Sequence, residues 1–334
     1  MFPVDMGMMT VDADHWKAFD TILREAADLV IVGHQNPDGD CLGVMSALAL
    51  MSSGRGNRPR LLSADPVPEH YRSMPFMGKV EVVESVSCSG EPIIYLECGN
   101  PGRSGVQITG CGTVVNLDHH PDNSGFGDVV LQDPAASSIG EMITTFLMEE
   151  SDTHDKEMLG RVASPLYIAI HTDTGGFSYG NTSRQALAAA AFLVESGAAV
   201  AEICAAVYQE QPVNRLKLKG QFLSRLHTRD NGKIGVGWLF LSDLEQFGCT
   251  PQDTDGFSAF PRAIQGVEIG MFLMEMEPGA FKVSLRSKGT AVVNTTAAMF
   301  GGGGHARAAG FRRSGDLQTL VEETIRALRQ TNEQ

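Results

Sequence analysis

Thr113-Val114-Val115-Asn116-Leu117-Asp118-His119-His120 carries an apolar, β-branched run directly into one carboxylate and two imidazoles. The run reads as a strand, so the triplet sits where that strand should end. A second phrase, His34-Gln35-Asn36-Pro37-Asp38-Gly39-Asp40, follows another apolar run at residues 29–32. Two clusters of His and Asp, each at the mouth of a strand, point to one metal site assembled from distant segments.

Working outward from these phrases, strands alternate with helices. Residues 27–33 and 92–97 are further strand patterns, while 42–51 is rich in Ala, Leu and Met, as a helix is. Ile139, Met142, Ile143, Phe146 and Leu147 give residues 138–149 helical spacing. Ser183 caps an Ala-rich helix that stops at Gly197. The run at 165–170 fits helix or strand, and delivers His171-Thr172-Asp173-Thr174-Gly175-Gly176-Phe177. This alternation predicts an α/β fold whose N-terminal part is a doubly wound, mainly parallel sheet with helices on both faces.

A change of style near residues 197–213 predicts a catalytic domain over 1–196, a linker over 197–213, and a smaller C-terminal α/β domain with a mixed sheet over 214–334. In the last part, residues 233–241, 267–276 and 280–286 read as strands, the last two joined at Glu277-Pro278-Gly279. Residues 294–300 read as a helix running into Gly301-Gly302-Gly303-Gly304-His305, and Asp316 caps a final amphipathic helix.

The 334 residues are enough for two domains with substantial cores. A net charge of −14 argues against coating long nucleic acid, which needs broad basic surfaces. Short nucleotides stay open, because a few cations and arginines in one cleft can reverse the local sign. No apolar stretch is long enough to span a membrane, and residues 1–14 lack a signal-peptide pattern, so the chain reads as cytoplasmic. Cys41, Cys88, Cys98, Cys111, Cys204 and Cys249 show no paired spacing and read as free, mostly buried thiols. His15, His70, His154 and His227 show no ligand spacing and read as surface residues.

His34, Asp38 and Asp40 offer an imidazole and two carboxylates to one point, a set suited to Mn²⁺, Mg²⁺, Fe²⁺ or Zn²⁺. Asp38-Gly39-Asp40 alone would be better read as an Asx turn, with Asp40 capping the next helix. The second cluster outweighs that reading. Neighbouring side chains on an extended segment point opposite ways, so one of His119 and His120 can bind metal while the other meets substrate. Asp173 has two glycines close by that permit near backbone approach, a weak signal alone. Ser137-Ser138 is sufficiently read as a helix cap.

Together these phrases resemble the DHH phosphoesterase family, named for a triplet that here is Asp118-His119-His120. The likeness runs through His34 to Asp40, through Asp173-Thr174-Gly175, and into the C-terminal part. There Ser284-Leu285-Arg286-Ser287 and the glycine run continuing through His305-Ala306-Arg307-Ala308-Ala309-Gly310 resemble the DHH-associated domain. It covers nearly the whole chain. Length and short linker are most similar to the NrnA-like branch, small oligoribonucleases and adenosine 3′,5′-bisphosphate (pAp) phosphatases.

The resemblance implies two divalent cations, usually Mn²⁺. His34 and Asp38 would hold one, Asp40, His119 and Asp173 the other, with a carboxylate after the second strand between them. His120 would sit beside the scissile phosphate. The bridging residue is normally Asp; this chain has Glu97, in a register supported by Arg103, where the family often has a basic residue. Glutamate keeps the charge and adds a methylene, which permits a bridge with the strand end set back. A bridge is the favoured reading because every other ligand is present; the alternative is a one-ion ligand or an altered metal preference. Two such ions activate a bridging water for in-line attack on phosphorus, and His120, Asp38 and Asp40 are the residues expected to carry catalysis. Gly302, Gly303 and Gly304 offer backbone N–H groups to a phosphate, flanked by His305 and Arg307. Arg286, with Ser287 beside it, can pair bidentately with phosphate.

The expected function is a Mn²⁺-dependent phosphoesterase that cuts very short oligoribonucleotides (nanoRNA) to mononucleotides and dephosphorylates pAp. Hydrolysis of cyclic dinucleotides or of linear pApA and pGpG is the near rival. Pyrophosphatases share a similar first domain but lack the glycine-His phrase, and long-DNA exonucleases would carry extra domains and a basic groove. From another class, a non-catalytic nucleotide sensor would have its metal site altered at Glu97. A homodimer rests on family resemblance alone.

Overall fold

Asp12 caps the first helix, α1 (Ala13–Glu25), accepting from the Asp14 N–H at 2.9 Å. The computed structural model describes residues 11–54, 56–149, 155–205 and 211–332. His154, the Gln209-Glu210 break and residues 1–10 lie outside these described residues. Two compact units divide after residue 210.

In the first unit the chain continues through β1 (Asp28–Val32), α2 (Gly39–Ser53), β2 (Arg58–Ser63), β3 (Glu81–Val82), β4 (Ser85–Ser87), β5 (Ile93–Leu96), β6 (Gln107–Thr109), β7 (Val114–Asp118) and β8 (Val129–Gln132). Helices α3 (Ile139–Glu149), α4 (Lys156–Asp173), α5 (Arg184–Glu195) and α6 (Val200–Cys204) follow. Six strands form one parallel sheet in the order β3-β2-β1-β5-β7-β8. Winding reverses between the neighbours β1 and β5. His34 and Glu97 leave these two strands at their carboxyl ends, where open α/β sheets bind ligands.

Period-two alternation sorts the strand side chains. Leu29, Ile31, Ile94, Leu96, Val115 and Leu117 face a core shared with the helices. Val30, Val32, Ile93 and Tyr95 face the other way. That second face differs from expectation: the small parallel sheet β4–β6 covers it, with Cys98 and Val106, in place of α-helices. Gly99-Asn100-Pro101-Gly102-Arg103-Ser104-Gly105 is too rich in Gly and Pro for an α-helix, and a 3₁₀ turn, Pro101–Ser104, forms there.

The ambiguous run at 165–170 is helical, and Pro165 lies inside α4. Every residue from 165 to 170 is buried, so the segment is apolar all round and shows no 3.6-residue stripe. α6 lies within the expected linker, with Ile203 buried in the first unit's core.

The second unit runs α7 (Val213–Ser224), β9 (His227–Arg229), β10 (Ile234–Leu239), α8 (Leu241–Phe247), α9 (Ala259–Ala263), β11 (Ile269–Glu277), β12 (Ala280–Ser287), α10 (Asn294–Met299), β13 (Gly303–His305), β14 (Ala308–Ser314) and α11 (Leu317–Asn332). Its sheet, β13-β14-β12-β11-β10-β9, is mixed: β10 and β11 are parallel and the other pairs antiparallel. Asp316 caps α11 through the Gln318 and Thr319 N–H groups. Helices α10 and α11 pack on one face, α7 and α8 on the other.

Among the described residues no helix is long and apolar enough to cross a membrane. All six cysteines are free, three of them buried. His15, His70 and His227 are half-buried rather than at the surface, and the His15 ring contacts the Val130 carbonyl at 2.8 Å.

Candidate metal centre

The chain leaves β1 at Gly33, and His34 turns into the site at 8% exposure. Its Nδ1 lies 2.8 Å from the Gln35 carbonyl. A proton held there leaves the Nε2 lone pair for a ligand. Nε2 faces Asp38 Oδ1 at 3.7 Å and Glu97 Oε2 at 3.6 Å.

Asp38, rather than Asp40, caps α2, its carboxylate accepting from the Asp40 and Cys41 N–H groups. Asp40 is fully buried and caps a different helix: its oxygens accept from Ile139 N–H at 2.7 Å and Gly140 N–H at 2.9 Å, at the start of α3. The loop entering α3 is shaped by Ser138 and Glu141, the hydroxyl accepting the Glu141 N–H and the carboxylate the Ser137 N–H. Capping accounts for Ser138, as its sequence position suggested.

Glu97 follows β5 with φ +53° and is 4% exposed. Its two oxygens address different histidines: Oε2 meets His34, and Oε1 lies 3.5 Å from His119 Nε2. His119 Nε2 is also 3.6 Å from Asp173 Oδ2, at the last residue of α4. Asn181 holds that helix end, donating to the Asp173 and Ser137 carbonyls.

Three sets of donor atoms each lie within 4.8 Å of one another: His34, Cys41 and Glu97; Glu97, His119 and His120; and Asp40, His119 and Asp173. Glu97 and His119 each belong to two sets, which ties all three into one cluster. Cys41 was not singled out from the sequence, where it reads as an apolar helix residue; only the packing of α2 beneath β1 brings its sulfur to the donors.

The electrostatics follow from burying acids and imidazoles together. Burial pushes the Asp173 carboxyl up, to about 7, against an opposing pull from His119. Asp40 is raised by burial and by the negative charge of Glu97 and Asp173. Burial opposes charge on His119, yet Glu97 and Asp173 overcome it and raise its pKa to about 10. Glu97 is likewise pushed up by burial, but His119 and His34 hold it well below the usual carboxylate range.

His120 comes within reach of Glu97 and His119 but is held by a partner of its own. Its Nδ1 lies 2.6 Å from Asp118 Oδ1, which also accepts the His120 backbone N–H. Asn123 donates to the second Asp118 oxygen and to Asn116 Oδ1. Asp118 therefore orients His120 beyond ending the strand, a role visible only once Asn123 folds back.

Arg103 is exposed, and its carbonyl accepts the Gln35 N–H at 3.0 Å, which places it beside the His34 loop. In the second unit, cross-strand register aligns Arg286, Ala308 and His305 in one row. Arg307 is exposed at the β13–β14 turn. The side chain of His305 lies outside what is described. Ser287 is 2% exposed and donates to the Ala291 carbonyl at 2.7 Å, so its hydroxyl is engaged within the fold. The glycines form no open loop: Gly303 and Gly304 sit in β13, and the Gly302 N–H donates to Ala297. A Cβ on Gly302 would stand 2.1 Å from the Gly310 carbonyl, so close packing dictates that glycine.

The model of the DHH family, N-terminal domain, matches residues 28–170, and that of the DHHA1 domain matches 231–333. The bifunctional oligoribonuclease and PAP phosphatase NrnA of Thermus thermophilus is 31% identical over 311 residues, 90% of this chain and 89% of that protein. The Bacillus subtilis protein of the same name is 29% identical over 306 residues, 88% and 95% of the two chains. An exopolyphosphatase-related protein from Bacteroides fragilis shares the fold, with a TM-score of 0.82 at 23% identity over 96% of this chain and 97% of that one. The chain belongs to the DHH family of phosphoesterases, with a DHHA1 domain in its second unit.

Proposed function

We propose that this chain is a Mn²⁺-dependent phosphoesterase that degrades very short oligoribonucleotides to mononucleotides and converts pAp to AMP. One observation carries the reading: Glu97 Oε2 is buried with no hydrogen-bond partner, between imidazoles and carboxylates that gather around it. A buried, unpaired carboxylate oxygen is costly, and a cation removes that cost. The donors are imidazoles and carboxylates, a set suited to Mn²⁺. His34 and Asp38 would hold one ion, Asp40, His119 and Asp173 a second, with Glu97 between them.

When bound, such ions lower the pKa of water and neutralise charge at the phosphoryl oxygens. His120, fixed through Nδ1 by Asp118, presents Nε2 to the substrate's phosphoryl group. Arg103, beside the His34 loop, takes a further phosphate oxygen. Arg286 and Arg307, with the strand that carries His305, recognise the nucleotide's terminal phosphate. The names of the relatives, about 30% identical along nearly the full chain, support this choice of substrate.

The test is a substrate panel with Mn²⁺: dinucleotides, a five-residue RNA, pAp, cyclic dinucleotides and pyrophosphate. Mononucleotide release from the first two and AMP from pAp are expected. A clear preference for cyclic dinucleotides or pyrophosphate overturns the assignment. Substituting Arg286 should raise KM more than it lowers kcat, whereas Asp40→Ala should cost several orders of magnitude in kcat.

A further inference from the structure

On the sheet face opposite the helices, Cys88 follows β4 and Cys111 follows β6, with their Sγ atoms 3.0 Å apart. That is closer than two unbonded sulfurs rest in ordinary contact. The backbone holds them there from both sides. Cys88 N–H donates to Thr109 at 2.8 Å, Gly90 N–H to Gly110 at 2.9 Å, and Gly112 N–H to Glu91 at 2.9 Å. Glycine is required on each side of Cys111. A Cβ on Gly110 would stand 2.4 Å from the Cys88 carbonyl, and one on Gly112 2.4 Å from the Gly90 carbonyl. Gly110 also sits at φ +74°, which other residues resist. The segment Gly110-Cys111-Gly112 is thus shaped to lay one sulfur on the other.

We propose that Cys88 and Cys111 form a reversible disulfide that closes the 88–111 segment, the stretch that carries Glu97 and Arg103. Cys111 is half-buried and Cys88 8% exposed, so Cys111 is the sulfur an oxidant reaches. With a low-molecular-weight disulfide as oxidant, the Cys111 thiolate attacks one of its sulfurs and expels one thiol. The Cys88 thiolate then attacks Cys111 Sγ and expels the second. Two protein thiols give up two protons and two electrons, and the small disulfide becomes two thiols. Burial, with the Cys88 contact, raises the Cys111 thiol to about 12, which slows its attack on the oxidant. Closing this loop constrains the unfolded chain and tethers the stretch that follows β5 and carries Glu97. The inference does not depend on the substrate proposed above.

The experiment incubates the full chain with oxidised glutathione, quenches in acid, denatures, alkylates and maps thiols by mass. Expected are four alkylatable thiols in place of six, no retained glutathione, a proteolytic peptide linking 88 to 111, and full reversal by dithiothreitol. Oxidation should raise the melting temperature, and Cys111→Ser should abolish both the rise and the link. Amide exchange across residues 98–107 should slow severalfold. Six remaining thiols, a stable glutathione adduct on Cys111, or a link to another cysteine overturns the proposal. Unchanged exchange at 98–107 overturns the tethering of that segment. The wild-type thiol map decides the disulfide without reliance on any variant.

Discussion

Glu97 combines two features that a surface residue at a strand end would not need. Its φ of +53° lies in the left-handed region, where side chains other than Asn and Asp are uncommon. Its carboxylate is buried between two histidines. Glu97→Gln keeps the shape and removes the charge, so it should lower bound metal from two ions to one or none and cut turnover on the order of 10²-fold or more. Elemental analysis checks the first part, and full occupancy in the variant would remove Glu97 from the ligand set. Glu97→Asp keeps the charge and suits the backbone, and should retain both ions at weaker affinity. Asp118 makes the contrasting case. Asp118→Asn should leave metal content unchanged while reducing kcat about 10- to 100-fold, because it disturbs only the tautomer and aim of His120. A loss of metal in Asp118→Asn would mean that the dyad belongs to the ion site.

At the scale of elements, the centre exists because three helices approach more closely than ordinary side chains allow. A Cβ on Gly43 of α2 would stand 2.5 Å from the Pro165 carbonyl of α4, and one on Gly39 2.3 Å from Thr172 Oγ1. A Cβ on Gly140 of α3 would stand 2.4 Å from Ala169 Cβ. These contacts set Asp38, Asp40 and Asp173 around one point. Gly43→Ala meets backbone, which cannot swing aside, so α2 and α4 must part. The expected loss is about 1–3 kcal/mol with weakened metal binding, read by thermal denaturation and metal titration; an unchanged melting temperature would mean the helices are not locked there. The same packing explains what could be read from the chain beforehand. β1, β5 and β7 were legible because short β-branched runs end in polar residues; the ends of β1 and β7 offered His34 and the His119-His120 pair, while Glu97 and the choice of His119 followed from the family resemblance. α4 was not, since burial on all sides erases the helical stripe and Pro165 argues against a helix. Asp173 therefore looked like a turn residue, although it closes an 18-residue helix. The sequence reads Asp40 as a ligand and offers only its own helix as a rival role; that it caps α3, about a hundred residues on, is a tertiary fact with no local signal. Within the glycine run, close packing against β14 accounts for Gly302 and Gly304, whereas a Cβ on Gly301 or Gly303 would meet nothing; that difference has no signal in a run of four glycines.

At the scale of the whole molecule, a chain of net charge −14 brings Asp38, Asp40, Glu97 and Asp173 together from three separate stretches of sequence. Without a cation the cluster holds protons instead, and this ties stability to pH with a definite sign. Asp173 keeps its proton to about 7 in the folded chain against an ordinary 3.8. The folded state binds more protons than the unfolded across that window, so stability falls as pH rises through it. His119 is raised to about 10 from 6.5; its contribution is complete below 6.5 and is lost as pH climbs toward 10. Glu97 acts the other way, but its lowered pKa contributes fully once pH exceeds the ordinary carboxylate value of 4.5. Above pH 6.5 only losses remain, and His34 adds to them, since against the effect of burial Asp38 and Glu97 hold it well above its ordinary value. Divalent cations replace those protons as counter-charge, and their binding strengthens as the ligands deprotonate. The melting temperature of EDTA-treated protein should therefore fall by about several degrees from pH 6.5 to 8.5, while metal-saturated protein changes little and the gap between them widens. Parallel melting curves at four pH values measure that gap; one that stays constant or narrows would show that His119 and Asp173 do not share a cation.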